Sequence, residues 1–441
     1  MQYARDMAKA EKELEIELWV IISFYRTTEQ GGKVLLFRYD LPRKVADKYD
    51  WVVRWRMARL TCQYPKGNVT HTYCLYDRHS GEDYSFGSCL SSLAAAKAQV
   101  TRMERRIREY TAWQKQNNLF FDEQTDEMLQ KAVAKLKESA SDENLAKAAA
   151  AWSKVRTSWE RSEAFLFGPA AFASLDPNLD SWPLDQSQLD GLIKAINEGR
   201  VAIDAGYVRG GLGAAFRGFH AAEYLLFREG KVRKAAEISK GELEYLAALA
   251  QVLTEDCVAL ESWWKGADKL SEGKSKILEE AEIETGGSYA SEMKNAGKVG
   301  SRYESQKEAL SEIFDGCIDI ADELAESKLG TPAKTQNPLE CESRHSGTSL
   351  IDAVDNLISI RNSYEGANSE GASLSALVAE KSKEADGRVR ASIDGAIKSV
   401  ESLKAPMFKN LKENKEGFKV AIAACEELSE ALGKAKELVC E

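Results

Sequence analysis

The chain has 441 residues and a formal net charge of −10 at pH 7. Its hydrophobic fraction of 44% and charged fraction of 29% are typical of a folded globular protein. They exclude a mainly disordered or collagen-like chain. No apolar run approaches the roughly 20 residues that a membrane span needs. The longest run near the start, residues 18–25, follows an acidic stretch, so the sequence predicts neither a signal peptide nor a lipid-anchor cysteine.

The first 118 residues differ in charge from the rest of the chain. They contain 20 Lys and Arg against 14 Asp and Glu, a net charge of +6, whereas residues 119–441 carry −16. Aromatic and β-branched residues are also denser in this first part. We therefore predict a separate basic segment of unknown role, and a gene fusion is one explanation of its origin.

The elements predicted in this segment are short and of both kinds. Strands are expected at 33–38 and 72–76, and helices over 43–60 and 91–117. Basic residues interleaved with Trp51, Trp55 and Tyr64 permit nucleic-acid binding. A solvated basic face explains the same pattern more simply, so we predict a small α+β segment without a nucleic-acid partner.

From residue 119 onward, apolar residues recur at helical spacing almost throughout. The pattern predicts helices over 123–139, 143–167, 186–205, 212–229, 234–264, 302–328, 348–363, 371–403 and 407–438. Glycine and proline mark the breaks, as at Gly168-Pro169. We predict a mainly all-α protein in which residues 119–441 form two helical bundles, with loop 329–347 as the expected point of division.

The predicted helix at 212–228 is apolar nearly all round, which indicates that it is buried. His220 and Glu223 lie three residues apart and therefore share one face of this helix. A buried carboxylate is costly unless it is paired or binds a metal. A structural His–Glu hydrogen bond, a contact between Glu223 and an arginine of another helix, and a metal site all remain open.

The helix predicted to end at Gly168 places charges among large aromatic residues. Arg156 and Glu163 fall on one stripe with Trp152 and Trp159, and Glu160 lies beside that stripe. An intrahelical Arg156–Glu160 pair at the surface explains these charges as well as an inward-pointing site does. The periodicity leaves both interpretations open.

A series of motifs occurs in order along residues 125–441. They read Trp152-x-x-x-Arg156-x-x-Trp159-Glu160-x-Ser162-Glu163, Leu179-Asp180-Ser181-Trp182-Pro183, Gly218-x-His220-x-x-Glu223, Asp315-Gly316-x-x-Asp319, and Glu342-Ser343-x-x-Ser346. In this order they resemble the imelysin-like family, whose G-x-H-x-x-E signature the third motif matches. Residues 1–118 show no such resemblance.

The resemblance implies a fold of two helical-bundle halves with the G-x-H-x-x-E helix between or beside them. It also implies a periplasmic or cell-envelope protein of bacteria, linked to iron uptake or iron regulation, with an envelope iron-transport partner. A nominal metallopeptidase label comes with it. The pocket positions that it implies are Arg156, Glu163, His220, Glu223, Glu342 and Ser343. One departure is Thr348-Ser349, where the family usually has Asn-Ser.

The residues themselves do not favour a peptidase. A zincin helix needs H-E-x-x-H, but Ala221 follows His220. The inverted motif H-x-x-E-H needs a histidine where Tyr224 stands. One imidazole with several carboxylates is an oxygen-rich set that suits iron, manganese or calcium.

We therefore predict a metal site, with iron as the expected ion. Its predicted ligands are His220, Glu223 and Glu163, and its predicted pocket residues are Arg156, Glu160, Glu342 and Ser343. His345 is interpreted as an incidental loop histidine. A metal-dependent peptidase is the first alternative function. The second is a helical interaction module without metal, in which His220 and Glu223 form only a buried pair.

Overall fold

A computed structural model describes residues 125–366 and 373–440, together with four short segments nearer the N terminus. Contacts divide the chain into two compact units. The first comprises Met1–Leu119 with Asn368–Gly371, and the second comprises Phe120–Ala367 with Ala372–Glu441.

The described segments of the first unit are strands in two antiparallel pairs, β1 (Ile22–Thr27) with β2 (Lys33–Tyr39) and β3 (Arg56–Leu60) with β4 (Tyr73–Tyr76). Both predicted strands are thus present, as β2 and β4. The prediction of a helix over 43–60 is wrong at its C-terminal end, because residues 56–60 form a strand that pairs with β4. Residues 43–55, the helix expected at 91–117, and Trp51, Trp55 and Tyr64 lie outside the described residues.

The second unit is helical wherever it is described in regular structure, apart from one small hairpin. Its α-helices are α1 (Thr125–Glu138), α2 (Asp142–Glu160), α3 (Pro169–Phe172), α4 (Leu175–Asp180), α5 (Gln186–Asn197), α6 (Ala205–Gly211), α7 (Gly218–Leu226), α8 (Lys240–Lys265), α9 (Glu272–Glu280), α10 (Tyr289–Lys294), α11 (Gln306–Glu323), α12 (Gly330–Thr335), α13 (Ser349–Glu365), α14 (Leu374–Lys381), α15 (Lys383–Glu401) and α16 (Lys415–Cys440). The mainly all-α fold predicted for this part of the chain is confirmed.

Two irregular elements interrupt the helices near the site. The hairpin of β5 (Phe227–Arg228) and β6 (Lys231–Val232) directly follows α7. Residues Leu324–Lys328 form a π-turn that extends α11. A π-turn adds a residue to the helical turn and changes which way the following side chains point.

Polar caps explain where several helices begin. Ser141 accepts the N–H of Asn144 at the start of α2. Ser239 and Glu242 form a reciprocal capping box at the start of α8. Ser382 accepts the N–H of Ala385, so the helix predicted over 371–403 is divided into α14 and α15.

The second unit contains two large hydrophobic cores. The first involves α1, α2, α4, α5, α7 and α8 and includes Trp152 and Tyr245. The second involves α11 and α13 to α16 and includes Phe314 and Phe418. Segment 329–347, which the sequence proposes as the point of division, contributes Leu329 and Cys341 to the second core. Among the described residues, no helix is both long enough and apolar enough to span a membrane.

Candidate functional site

Helix α7 begins at Gly218, and this glycine sets how closely α7 approaches α4. Its φ of +75° lies in the region that favours glycine. A Cβ at this position would lie 2.2 Å from the carbonyl oxygen of Leu179. Only glycine therefore lets the start of α7 lie against the end of α4. This packing brings His220 next to Asp180, the last residue of α4.

His220 is fully buried and lies among three carboxylates. Its Nδ1 atom is 3.3 Å from Oε2 of Glu223 and forms a hydrogen bond with it. Its Nε2 atom lies 3.2 Å from Oδ1 of Asp180 and 3.3 Å from Oε1 of Glu342. Neither of these two contacts of Nε2 has the geometry of a hydrogen bond. The ring of Trp182 covers the imidazole at a centroid distance of 4.8 Å.

Glu223 connects α7 to the segment before α13. Its Oε1 atom accepts the backbone N–H and the side-chain hydroxyl of Ser346, each at 2.7 Å. The Ser346 hydroxyl also lies 3.0 Å from the carbonyl oxygen of Ser343. Of the partners considered for Glu223, the structure therefore contains the histidine. The carboxylate orients that imidazole from the side facing away from Asp180 and Glu342.

Arg156, on α2, is the buried cation of this network. Its guanidinium forms ion pairs with Glu160 and Asp180, and its Nη2 atom lies 2.9 Å from Oε1 of Glu342. Asp352 lies 3.8 Å from its Nε atom. The Arg156–Glu160 pair is thus intrahelical but buried, so the surface position proposed for it is wrong and the inward-pointing interpretation holds. The guanidinium holds the same Asp180 and Glu342 oxygens that face His220.

Lys328 supplies a second buried cation from the end of the π-turn. Its Nζ atom lies 3.0 Å from Oε2 of Glu163 and 3.3 Å from Oε2 of Glu342. Glu160 is also within 3.9 Å. Glu163 therefore lies on the Lys328 side of the network, whereas the imidazole of His220 faces Asp180 and Glu342.

The charges control protonation at each position. Burial alone would lower the pKa of His220, but its contacts with Asp180, Glu223 and Glu342 outweigh burial and raise that pKa well above its ordinary value. Burial opposes ionisation of Glu342, yet Lys328, His220 and Arg156 lower its pKa to about 2. Burial and the neighbouring Glu160 charge raise the pKa of Glu163 well above its ordinary range.

The seven residues singled out in the sequence lie in one connected network. Arg156, Glu160, Glu163, His220, Glu223 and Glu342 contact one another directly or through Lys328, and Ser343 joins through Ser346. Asp180 and Lys328 were missed as site residues. Asp180 stands within the Leu-Asp-Ser-Trp-Pro motif, which was its available signal, whereas Lys328 carries no such signal.

Two sets of donor atoms in the network have metal-ligand spacing. Carboxylate and imidazole atoms of Asp180, His220 and Glu342 lie within 4.8 Å of one another, and so do carboxylate oxygens of Glu160, Glu163 and Asp180. The first set includes the Nε2 atom of His220, and the second set surrounds the Lys328 ammonium. Of the two, the first is better suited to a metal, because it contains an imidazole nitrogen.

An acidic cavity of about 340 Å³ adjoins the network. Six carboxylate side chains and one ammonium line it, those of Glu163, Asp176, Asp180, Glu323, Glu340, Glu342 and Lys328. Glu323 lines the cavity from α11. Asp315, Asp319 and Asp322 of the same helix do not line it.

His345 lies outside both donor sets. Its ring is buried and contacts the ring of Tyr224 edge-on, with centroids 5.0 Å apart. Its backbone carbonyl accepts the N–H of Gly230 at 2.9 Å. Burial lowers the pKa of His345 to about 4.

Comparison with known proteins agrees with this architecture. A curated relative, iron-regulated protein A of Synechococcus elongatus, is 29% identical over 249 residues, which are 56% of this chain and 60% of that protein. The crystal structure of a protein described as an iron-regulated protein A precursor from Parabacteroides distasonis aligns with a TM-score of 0.60 and 30% identity. That alignment covers 71% of this chain and 89% of the other.

Another solved structure, an imelysin-like protein of Psychrobacter arcticum, aligns with 14% identity and a TM-score of 0.46 over 72% of this chain and 86% of that one. The sequence model of the imelysin family, Peptidase M75, matches residues 123–435. This range contains every residue of the network described above. The chain therefore belongs to the imelysin family.

Proposed function

We propose that this protein binds a metal ion, iron, through Asp180, His220 and Glu342, and that it serves iron uptake or iron regulation in the bacterial cell envelope. The observation that carries the proposal is the Nε2 atom of His220, which faces two carboxylate oxygens at 3.2 and 3.3 Å without hydrogen-bond alignment to either. Donor atoms about 3 Å apart suit an ion whose bonds are about 2.1 Å long.

The arrangement around His220 supports the same proposal. A metal-binding histidine commonly has its other ring nitrogen fixed by a carboxylate. Glu223 holds the Nδ1 atom in this way, and Ser346 in turn holds Glu223. Glu223 is therefore proposed as an orienting residue, and Glu163 as part of the surrounding charge network, while the sequence had grouped both with the ligands.

The balance of buried charge also favours a bound cation. Six carboxylates of the network are buried, those of Glu160, Glu163, Asp180, Glu223, Glu342 and Asp352. Arg156 and Lys328 oppose them, and so does the His220 imidazolium, whose pKa the facing carboxylates raise despite burial. Burial also raises the pKa of Glu163 and Asp352 well above the ordinary range, which favours their neutral forms. A metal ion between Asp180, His220 and Glu342 would replace the imidazolium proton and supply positive charge at the same place.

The names of the relatives support the choice of iron and of a cell-envelope setting in this proposal. Two of them are named iron-regulated protein A, and one of these is described as a precursor, which is consistent with export. An envelope iron-transport partner is part of this proposal. Peptidase activity is not, because no residue of the network is placed as the general base of a zincin motif.

Anaerobic calorimetric titration with Fe²⁺ tests the proposal. We expect about one iron per chain in the wild type and at least a tenfold loss of affinity in His220→Ala. Glu223→Gln should lose about 10- to 100-fold, as removal of a residue that orients a ligand typically does. Asp256→Asn is the matched control, because Asp256 is a buried carboxylate paired with Arg217.

Equal iron affinity in the wild type and His220→Ala would contradict the proposal. Absence of iron binding in every variant, with circular dichroism showing equal folding, would favour the helical interaction module instead. Loss of iron binding in Asp256→Asn as well would indicate that the effect of His220→Ala is a general loss of structure.

A further inference from the structure

The acidic cavity beside the site is large enough to hold a hydrated metal ion. A water molecule takes up about 30 Å³ in the liquid, so the cavity volume of about 340 Å³ corresponds to about ten waters. This is enough for a metal ion with its first shell of water.

The charge of the cavity limits which ions it can hold. Six carboxyl groups line it against the single ammonium of Lys328. Burial raises the pKa of Glu163 well above its ordinary range and favours its neutral form, so the other carboxylates carry the negative charge. Walls of one charge sign concentrate ions of the opposite sign and repel ions of the same sign. Ferric complexes of carboxylate chelators such as citrate carry net negative charge. The cavity therefore attracts the cation and repels the anionic chelate.

The carboxylates are arranged by depth. Asp180 and Glu342 are nearly buried and belong to the His220 network. Asp176 is half-buried, and Glu323 is exposed. Neither of these two makes a hydrogen bond or ion pair with any residue in the described part of the chain. They are thus available to a cation entering from solvent, and the inner pair lies beside the imidazole.

We propose that the cavity admits iron as a hydrated cation, which Asp176 and Glu323 attract at the entrance, and that it excludes anionic iron chelates. This inference rests on the proposed function. It names the chemical class of the cargo: the metal must leave any anionic chelator before it enters. The inner residues Asp180, His220 and Glu342 then replace water around the ion.

Two measurements test the inference. In the first, the protein is dialysed against Fe³⁺ complexed with radiolabelled citrate, and both iron and citrate are counted. We expect iron without citrate on the protein. Retention of citrate together with iron in the wild type, lost in His220→Ala, would overturn the inference and leave the proposed iron site intact.

The second measurement is stopped-flow association of Fe²⁺ under anaerobic conditions at low and high salt. The variant Asp176→Asn/Glu323→Gln should bind at least tenfold more slowly at low salt, with a dissociation rate within about twofold of the wild type. The control Asp319→Asn/Asp322→Asn removes two exposed carboxylates of α11 that do not line the cavity, and should keep the wild-type rate.

Wild-type association in Asp176→Asn/Glu323→Gln, or equal slowing in the control, would overturn the entrance role of these residues. Absence of Fe²⁺ binding to the wild type would overturn both this inference and the proposed function. Thermal unfolding of each variant checks that the fold is retained, which we expect because these side chains make no hydrogen bond or ion pair with the described residues.

Discussion

His220 and His345 are both buried, with 0% and 4% of their surface exposed, yet their surroundings favour opposite protonation states. The pKa of His220 is raised well above its ordinary value by three facing carboxylates. The pKa of His345 is lowered to about 4, because burial against the ring of Tyr224 dominates there. The protonation state of these two buried histidines is therefore decided by the charges that face the ring and not by burial alone.

Replacing Arg156, whose guanidinium pairs with two of the carboxylates that face His220, should have the largest effect on stability. Arg156→Met leaves Glu160, Asp180 and Glu342 without their buried partner, and we expect a loss of about 3–5 kcal/mol in the free energy of unfolding. Urea unfolding of the metal-free protein measures it. Arg361→Met is the control, because its pair with Asp394 is partly exposed to solvent and should contribute less than about 1 kcal/mol. Similar losses in both variants would contradict the expectation that the buried ion pairs of Arg156 stabilise the fold more than the partly exposed pair of Arg361 does.

The acid stability of the protein should separate the two histidines. The unfolded chain protonates His345 near pH 6.5, whereas the folded chain protonates it only near pH 4. The folded state is therefore destabilised as pH falls from 6.5 to 4, by up to about 3 kcal/mol. In His345→Gln this part of the pH dependence should disappear. An unchanged slope of unfolding free energy between pH 4 and 6.5 would contradict the low pKa.

The same experiment on His220 has the opposite sign. Its folded-state pKa is raised, so its contribution to stability is fully present below pH 6.5 and is lost as pH rises through the folded-state pKa. His220→Gln should remove that loss at alkaline pH. The measurement needs chelator-treated protein, so that bound metal does not contribute.

The smallest expected effect is at Ser346, whose hydroxyl contacts Glu223. Ser346→Ala removes one of two donors to the Oε1 atom and should cost about 1.5 kcal/mol, since hydrogen bonds to charged groups contribute about that much. Ser399→Ala is the control, because its hydroxyl bonds only a carbonyl oxygen within α15. A loss at Ser346 no larger than at Ser399 would show that Glu223 is held by the remaining contacts.

The sequence pattern predicted the helical fold well, because apolar periodicity reports which faces are buried. It also singled out Arg156, Glu163 and His220, since polar residues on apolar stripes are conspicuous. It did not predict Lys328. The helix expected over 302–328 instead enters the π-turn, where the N–H of Leu329 bonds the carbonyl oxygen of Leu324 at 3.0 Å. This changed register directs Lys328 toward Glu163.

Asp180 was missed as a site residue for a different reason. It ends the six-residue helix Leu175–Asp180, which contains Pro177 and is followed by Pro183, and six residues are too few to show helical periodicity. Its role depends on a contact with α7, which is distant in sequence. Single-sequence periodicity describes the face of one element and cannot show which two elements touch.

The close approach at Gly218 has a consequence for protein engineering. A grafted G-x-H-x-x-E helix would carry the imidazole and one carboxylate, but the facing carboxylate of Asp180 comes from the end of α4. Gly218 places no side chain between the two backbones, whereas a Cβ there would lie 2.2 Å from the carbonyl oxygen of Leu179. A transplanted site would therefore need both helix ends as a single cassette, with their separation preserved.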